Sequence, residues 1–214
     1  MTNRFSLDIG ILLSAASTTG CAPSSTPALR TGDMLFQCGT GAMTEAITDA
    51  TGGARGLDFS HVGIVLHGEA ADSVLEATAP EGVRIVALTD FLDASARIEG
   101  APAVVAMRLR DTTGVAASVD RARGRLGLPY DYWFLPDNGC WYCSELVYES
   151  YRRPDGAFCF TARPMNFRAA DGSLPRYWTE LFDRLGEPVP EGVAGTNPND
   201  MAQEEALYEV FRWF

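Results

Sequence analysis

Two short stretches carry residues whose types and spacing suit chemistry. Ser60-His61-Val62-Gly63-Ile64-Val65 sets a histidine at the mouth of an apolar strand, and Tyr142-Cys143-Ser144-Glu145-Leu146-Val147 sets a cysteine at the first turn of a helix. A helix N-terminus favours the thiolate form of a cysteine placed there, and a neighbouring imidazole completes its activation as a nucleophile. The backbone N–H of such a residue has no intrahelical acceptor, so it can donate to the oxyanion of a tetrahedral intermediate. The bland alternative is a buried small hydrophobe, which is what most free cysteines are. The preceding Pro136-Asp137-Asn138-Gly139 turn and the polar neighbours Tyr142, Ser144 and Glu145 argue for a thiol that is not fully buried.

A third residue follows from register. If His67 to Asp72 form the loop of a hairpin, Leu66 pairs with Ser73 and His61 pairs with Thr78. Glu76, two residues from Thr78, then shares a face with His61, and diagonal neighbours on a sheet face lie within reach of long side chains. Read alone, the two residues equally describe a turn-end histidine and a rim glutamate, each solvated. His67 lies in the loop itself and reads as solvated.

The five cysteines at 21, 38, 140, 143 and 159 suggest no disulfide framework. Cys140-Trp141-Tyr142-Cys143 is a lone CxxC that follows a loop, whereas a thioredoxin-like motif follows a strand in a βαβ unit. A structural zinc would need two more ligands, with only His61 and His67 on offer. The pattern therefore calls for neither a metal nor a cofactor. The chain has 214 residues and a net charge of −11, which argues against nucleic acid and anionic lipid surfaces as partners. No lysine occurs, so Schiff-base, P-loop and Ser-Lys chemistries are excluded.

The elements that must position these groups are strands clustered mid-chain and helices around them. Met34–Gln37, His61–Leu66, Ser73–Thr78, Val83–Ala87 and Ala103–Leu109 read as strands. Met43–Thr51, Thr113–Leu126, Ser144–Tyr151 and Arg176–Leu185 read as helices, stopped by glycine or proline. Leu207, Val210 and Phe211 stand at helical spacing in the last segment, Met201 to Phe214. The class is α+β. Residues 1–28 read as a targeting segment and tether: Arg4, the apolar run Ile9 to Ala16, and Thr19-Gly20-Cys21-Ala22, like a bacterial lipoprotein cleavage site. Residues 29–214 are then one domain. The expected location is the bacterial cell envelope, periplasmic or lipid-anchored through Cys21.

Five stretches together resemble the permuted papain-like amidases of the YiiX/YebB type, relatives of the NlpC cell-wall peptidases and of lecithin:retinol acyltransferase. They are Gly32-Asp33-Met34-Leu35-Phe36, Phe59 to Val65, Val74-Leu75-Glu76-Ala77 with Gly82-Val83, Gly127-Leu128-Pro129-Tyr130-Asp131-Tyr132, and Tyr142 to Val147. Asn197-Pro198-Asn199-Asp200 resembles a weaker C-terminal signature. The resemblance implies a circularly permuted papain-like fold, with an antiparallel central sheet or barrel flanked by helices. It also implies a triad, with Cys143 as nucleophile, His61 as base and then acid, and Glu76 orienting the imidazole. Tyr130 and Tyr142 are the candidate substrate-binding residues, Tyr130 reading equally as a packed aromatic and Asp131 as a turn residue. The implied activity is amide hydrolysis in an envelope substrate, a peptide or a lipid amide. Acyl transfer by the same triad, or a non-catalytic lipid- or peptide-binding module, are the alternatives, and the oligomeric state is not readable.

Overall fold

Strand β1 (Met34–Gln37) sits at the middle of the sheet and is buried along its whole length in the computed structural model, which describes residues 28–214. The targeting segment read over residues 1–28 therefore lies outside the described residues, Ala28 apart. Strands β2 (His61–Leu66), β3 (Ser73–Thr78), β4 (Gly82–Ala87), β5 (Val104–Leu109) and β6 (Leu207–Arg212) complete one sheet in the order β6-β5-β1-β2-β3-β4. Every neighbouring pair is antiparallel, and β4 and β6 form the edges. The architecture is thus an α+β fold with an open antiparallel sheet.

Both faces of the sheet are covered, which is why β1, β2 and β5 read as nearly continuous apolar runs. The first four helices are α1 (Ala42–Thr51), α2 (Leu88–Asp93), α3 (Val115–Arg123) and α4 (Cys143–Ser150), and on one face Met34, Phe36, Ile64, Leu75 and Met107 pack against Leu146 and Val147 of α4 and Tyr151 just beyond it. On the other, Leu35, Val65, Val74 and Ala106 pack against Phe91 of the short helix Leu88–Asp93. Gly63 belongs to this second contact. A Cβ there would run into the Val74 and Phe91 side chains, so the glycine in His61-Val62-Gly63 is a packing requirement. A separate aromatic cluster gathers Tyr130, Phe134, Tyr142, Phe167, Trp178 and Phe182 beside the N-terminus of α4.

The hairpin register expected from loop length is found: Leu66 pairs with Ser73, Val65 with Val74, and Ile64 with Leu75. Two local expectations are corrected. The helix read over Thr113–Leu126 spans Val115–Arg123, its last turn giving way to turns at Arg125 to Leu128. The last segment is a short helix, Pro198–Ala202, followed by strand β6. A bulge between Glu209 and Phe211 is the reason for the misleading pattern. It interrupts the strict alternation of a strand, so the adjacent Val210 and Phe211 both meet one core cluster while Leu207 meets the other.

Candidate active site

The loop before α4 is held rigid from within. Asp131 is completely buried, and its carboxylate accepts from the backbone N–H groups of Trp133 (2.8 Å) and Leu135 (2.9 Å) and from the Asn138 amide (2.9 Å). Trp141 N–H donates to the Pro129 carbonyl at 2.9 Å, and Asp131 N–H to the Trp141 carbonyl at 3.2 Å. The chain enters the helix with Tyr142 extended, its N–H donating to the Glu145 carboxyl at 3.4 Å. Cys143 is therefore the first helical residue, and its own N–H has no intrahelical acceptor. Burial, then Asp131, pushes Glu145 up to about 8, so this carboxyl is mostly uncharged near neutral pH. It adds little negative charge next to the thiol.

His61 begins β2, anchored on both sides by its neighbours. Ser60 N–H donates to the Gln37 carbonyl at 3.0 Å, and Phe59 N–H to the Asn199 side chain at 2.8 Å. The imidazole packs near the Phe91 ring, with centroids 5.7 Å apart. Its Nε2 lies 2.7 Å from Glu76 Oε2, and Cys143 lines the same cleft. The second carboxylate oxygen of Glu76 accepts from Arg84 Nε at 3.0 Å. Burial works against the imidazolium, but hydrogen bonds and charge from Cys143 and Glu76 outweigh it and raise His61 to about 10. Glu76 is lowered: burial opposes its charge, and His61 and then Arg84 overcome that opposition.

The fold thus brings His61, Glu76 and Cys143 to one point, from β2, β3 and the start of α4. Tyr130 and Tyr142 are both buried and both line space next to Cys143. The Tyr130 hydroxyl points at Met43 Sδ (3.8 Å), and Tyr142 accepts from Thr196 N–H (3.2 Å). Asp131 is a turn residue, and His67 is exposed, paired with Asp72 at 2.7 Å. The thiol differs from expectation. Cys143 is only 6% exposed and belongs to the core cluster that includes Phe36, Val62 and Leu146, where a loop-like sequence suggested openness.

Two supporting residues were not singled out in the sequence. Arg84 faces Glu76 directly across the β3–β4 ladder, as the pairing of Thr78 with Gly82 requires. Counting back from the Pro80-Glu81 turn would have found it. Asn199 is completely buried; besides holding Phe59 it donates to Thr51 Oγ1 at 2.8 Å. Its partners lie over a hundred residues away, so no local signal marks it. It gives the Asn197-Pro198-Asn199-Asp200 stretch a structural purpose, the fixing of the segment that delivers His61.

Cys143 lies between two spaces of different character. One is a small pocket of about 60 Å³ walled mainly by aromatic and aliphatic side chains. The other is a cleft of about 310 Å³ that contains His61, Glu76 and Arg84. Tyr130 separates them and borders both.

Comparison with known proteins agrees with this architecture. A sequence model of the family described as permuted papain-like amidase enzyme, YaeF/YiiX, C92, matches residues 28–211. The uncharacterized protein YiiX of Escherichia coli strain K12 is 27% identical over 168 residues, covering 75% of each chain. The crystal structure of yiiX from Escherichia coli O157:H7, described as a metalloprotein, superposes with a TM-score of 0.69 at 24% identity. That match covers 86% of this chain and 97% of the other, and it shows the fold.

Proposed function

Because the chain belongs to the permuted papain-like amidase family, we propose that it is a cysteine amidase with Cys143 as nucleophile, His61 as acid–base and Glu76 as the group that orients the imidazole. One observation carries this reading: the Glu76 carboxylate holds the His61 ring at 2.7 Å in the same cleft that Cys143 lines, with Arg84 fixing the carboxylate in turn. His61 takes the Sγ proton and the thiolate attacks the amide carbonyl, forming a C–S bond while the oxyanion meets the Cys143 N–H. The C–N bond then breaks as His61 gives its proton to the leaving nitrogen. Water attacks the thioester, gives its proton to His61 and releases the acid, which restores the thiol. The cleft of about 310 Å³ beside His61 has room for that water.

The yiiX protein's description as a metalloprotein finds no matching donor set here. Among the described residues, no group of three or more His, Cys, Asp or Glu side chains is placed to hold a metal ion.

Thiol labelling tests the assignment. Burial pushes the thiols of Cys38, Cys140 and Cys159 up, and a thiol is nucleophilic only as thiolate. Brief alkylation of the folded protein with iodoacetamide near neutral pH, followed by peptide mapping, should find Cys143 modified first. Faster labelling of any of the other three would remove it as nucleophile.

The same reading includes an envelope location, with Cys21 lipidated and the domain tethered without spanning the membrane. Among the described residues no helix is long and apolar enough to cross a membrane. Mass spectrometry of the protein from its native host should find a mature chain beginning at a lipid-modified Cys21. A mature chain that retains Met1 or begins at an unmodified Thr2 would end the idea.

A further inference from the structure

The two spaces flanking Cys143 differ in a way that assigns the two halves of a substrate. This argument rests on the amidase reading above. When an amide is cleaved by a thiol, the leaving nitrogen must receive a proton, so it must lie within hydrogen-bond reach of the acid. His61 lines the cleft of about 310 Å³ and does not line the smaller pocket. The amine half is therefore the half in the cleft. The acyl half is joined to Sγ and projects to the other side of Cys143, where the remaining space is the pocket of about 60 Å³.

The walls of that pocket set what fits. Phe134, Phe167 and Trp178 meet edge to face, with centroid separations of 5.4 Å, 5.1 Å and 5.9 Å. The Trp178 indole N–H is already committed to the Ala46 carbonyl at 3.3 Å, so it offers nothing to a ligand. Such a mutually packed wall is stiff and apolar. A dry cavity of about 150 Å³ accepts benzene. The pocket here is well under half that size, so a short or branched aliphatic group matches it best. The cleft presents Gln37, Glu76, Arg84 and Asp90, and suits a polar amine that becomes an ammonium ion on release.

We propose that the substrate is an amide joining a short apolar acyl group to a polar amine, the acyl group entering the aromatic pocket and the amine leaving through the polar cleft.

The test uses the full chain and p-nitrophenyl esters of isobutyric and octanoic acid. Acylation is followed by nitrophenol release and intact-mass spectrometry, with peptide mapping to place the adduct. Isobutyryl transfer to Cys143 should be faster than octanoyl transfer by about tenfold or more, since each misfitting methylene in an apolar pocket costs roughly that factor. Met165→Ala and Phe167→Ala each enlarge the pocket and should narrow the ratio to near unity or reverse it. Met165 is only half-buried, so its variant serves if loss of Phe167 prevents folding. Equal rates, or faster octanoyl transfer, in the unmodified protein would overturn the short-acyl assignment while leaving Cys143 as nucleophile. A ratio unmoved by Met165→Ala would show that the acyl group lies elsewhere. Failure of both esters to acylate Cys143 in folded protein would instead overturn the amidase reading on which the inference rests.

Discussion

Cys143→Ala should abolish turnover, and His61→Ala should be nearly as damaging. The thiol is the group assigned to form the acyl bond, and general acid–base catalysis of the kind assigned to His61 contributes about 10²–10⁴-fold by itself. Glu76→Gln should be milder, because the side-chain carbonyl still accepts from His61 Nε2, where the carboxylate now stands at 2.7 Å. Glu76→Ala should be worse than Glu76→Gln, since it also strands Arg84 without its partner. Combining Cys143→Ala with His61→Ala should cost no more than Cys143→Ala alone, because groups acting as a unit are not additive. The pH profile of kcat/KM separates the roles further. His61 is raised from 6.5 to about 10, so its proton persists across neutral pH and activity should fall only as pH rises through about 10. The sign for stability follows the same shifts. The imidazolium–carboxylate pair contributes fully below 6.5 and fades as pH rises toward 10. On the acid side its contribution is complete above 4.5 and is lost as pH falls through the lowered Glu76 value. Initial-rate measurements on the single and double variants decide the matter; a Glu76→Ala enzyme at full activity would sink the triad.

The second large effect concerns stability and lies outside the site. Asp33 is 1% exposed and Arg108 8% exposed, and they meet through two parallel contacts, Nε to Oδ1 at 2.6 Å and Nη2 to Oδ2 at 2.8 Å. Asp33 Oδ2 also accepts from Arg30 N–H at 2.7 Å, which pins the turn that feeds β1. Breaking such a pair leaves one charge buried without a partner, which typically costs about 3–5 kcal/mol. Arg108→Met should therefore lower unfolding stability by about that amount in urea denaturation, with little change in slope. The double change of Asp33→Leu with Arg108→Met removes both charges and should recover part of the loss. A single-variant loss below about 1 kcal/mol would mean the pair is solvated or dispensable.

The sequence alone determined what local rules govern. Most strand positions followed from short apolar and β-branched runs and helix positions from three-to-four-residue periodicity, and glycine or proline marked most ends. The hairpin register followed from loop length, because once Leu66 meets Ser73 every later pair is counted off and Glu76 must share a face with His61. Cys143 at a helix start was legible because turn residues precede it and an apolar stripe follows. What the tertiary structure decided depended on contacts between remote segments. Helix α4 had to pack on β2 and β3 before Cys143 could meet His61, and no spacing between the motifs encodes that approach. The burial of Cys143 came from its place in the core cluster between the central sheet and its own helix, whereas turn-rich sequence suggested exposure. Strand β6 was hidden by its bulge, which places neighbouring residues on one face as a helix would. Asn199 looked like any polar residue near a helix start; only when the fold sets it beside Phe59 do its two side-chain hydrogen bonds acquire a purpose. The division of space around the thiol, aromatic on one side and more polar on the other, arises where strands, helices and loops remote in sequence meet. A cavity is the volume that packing leaves unfilled, and its shape exists only after every surrounding side chain has been placed.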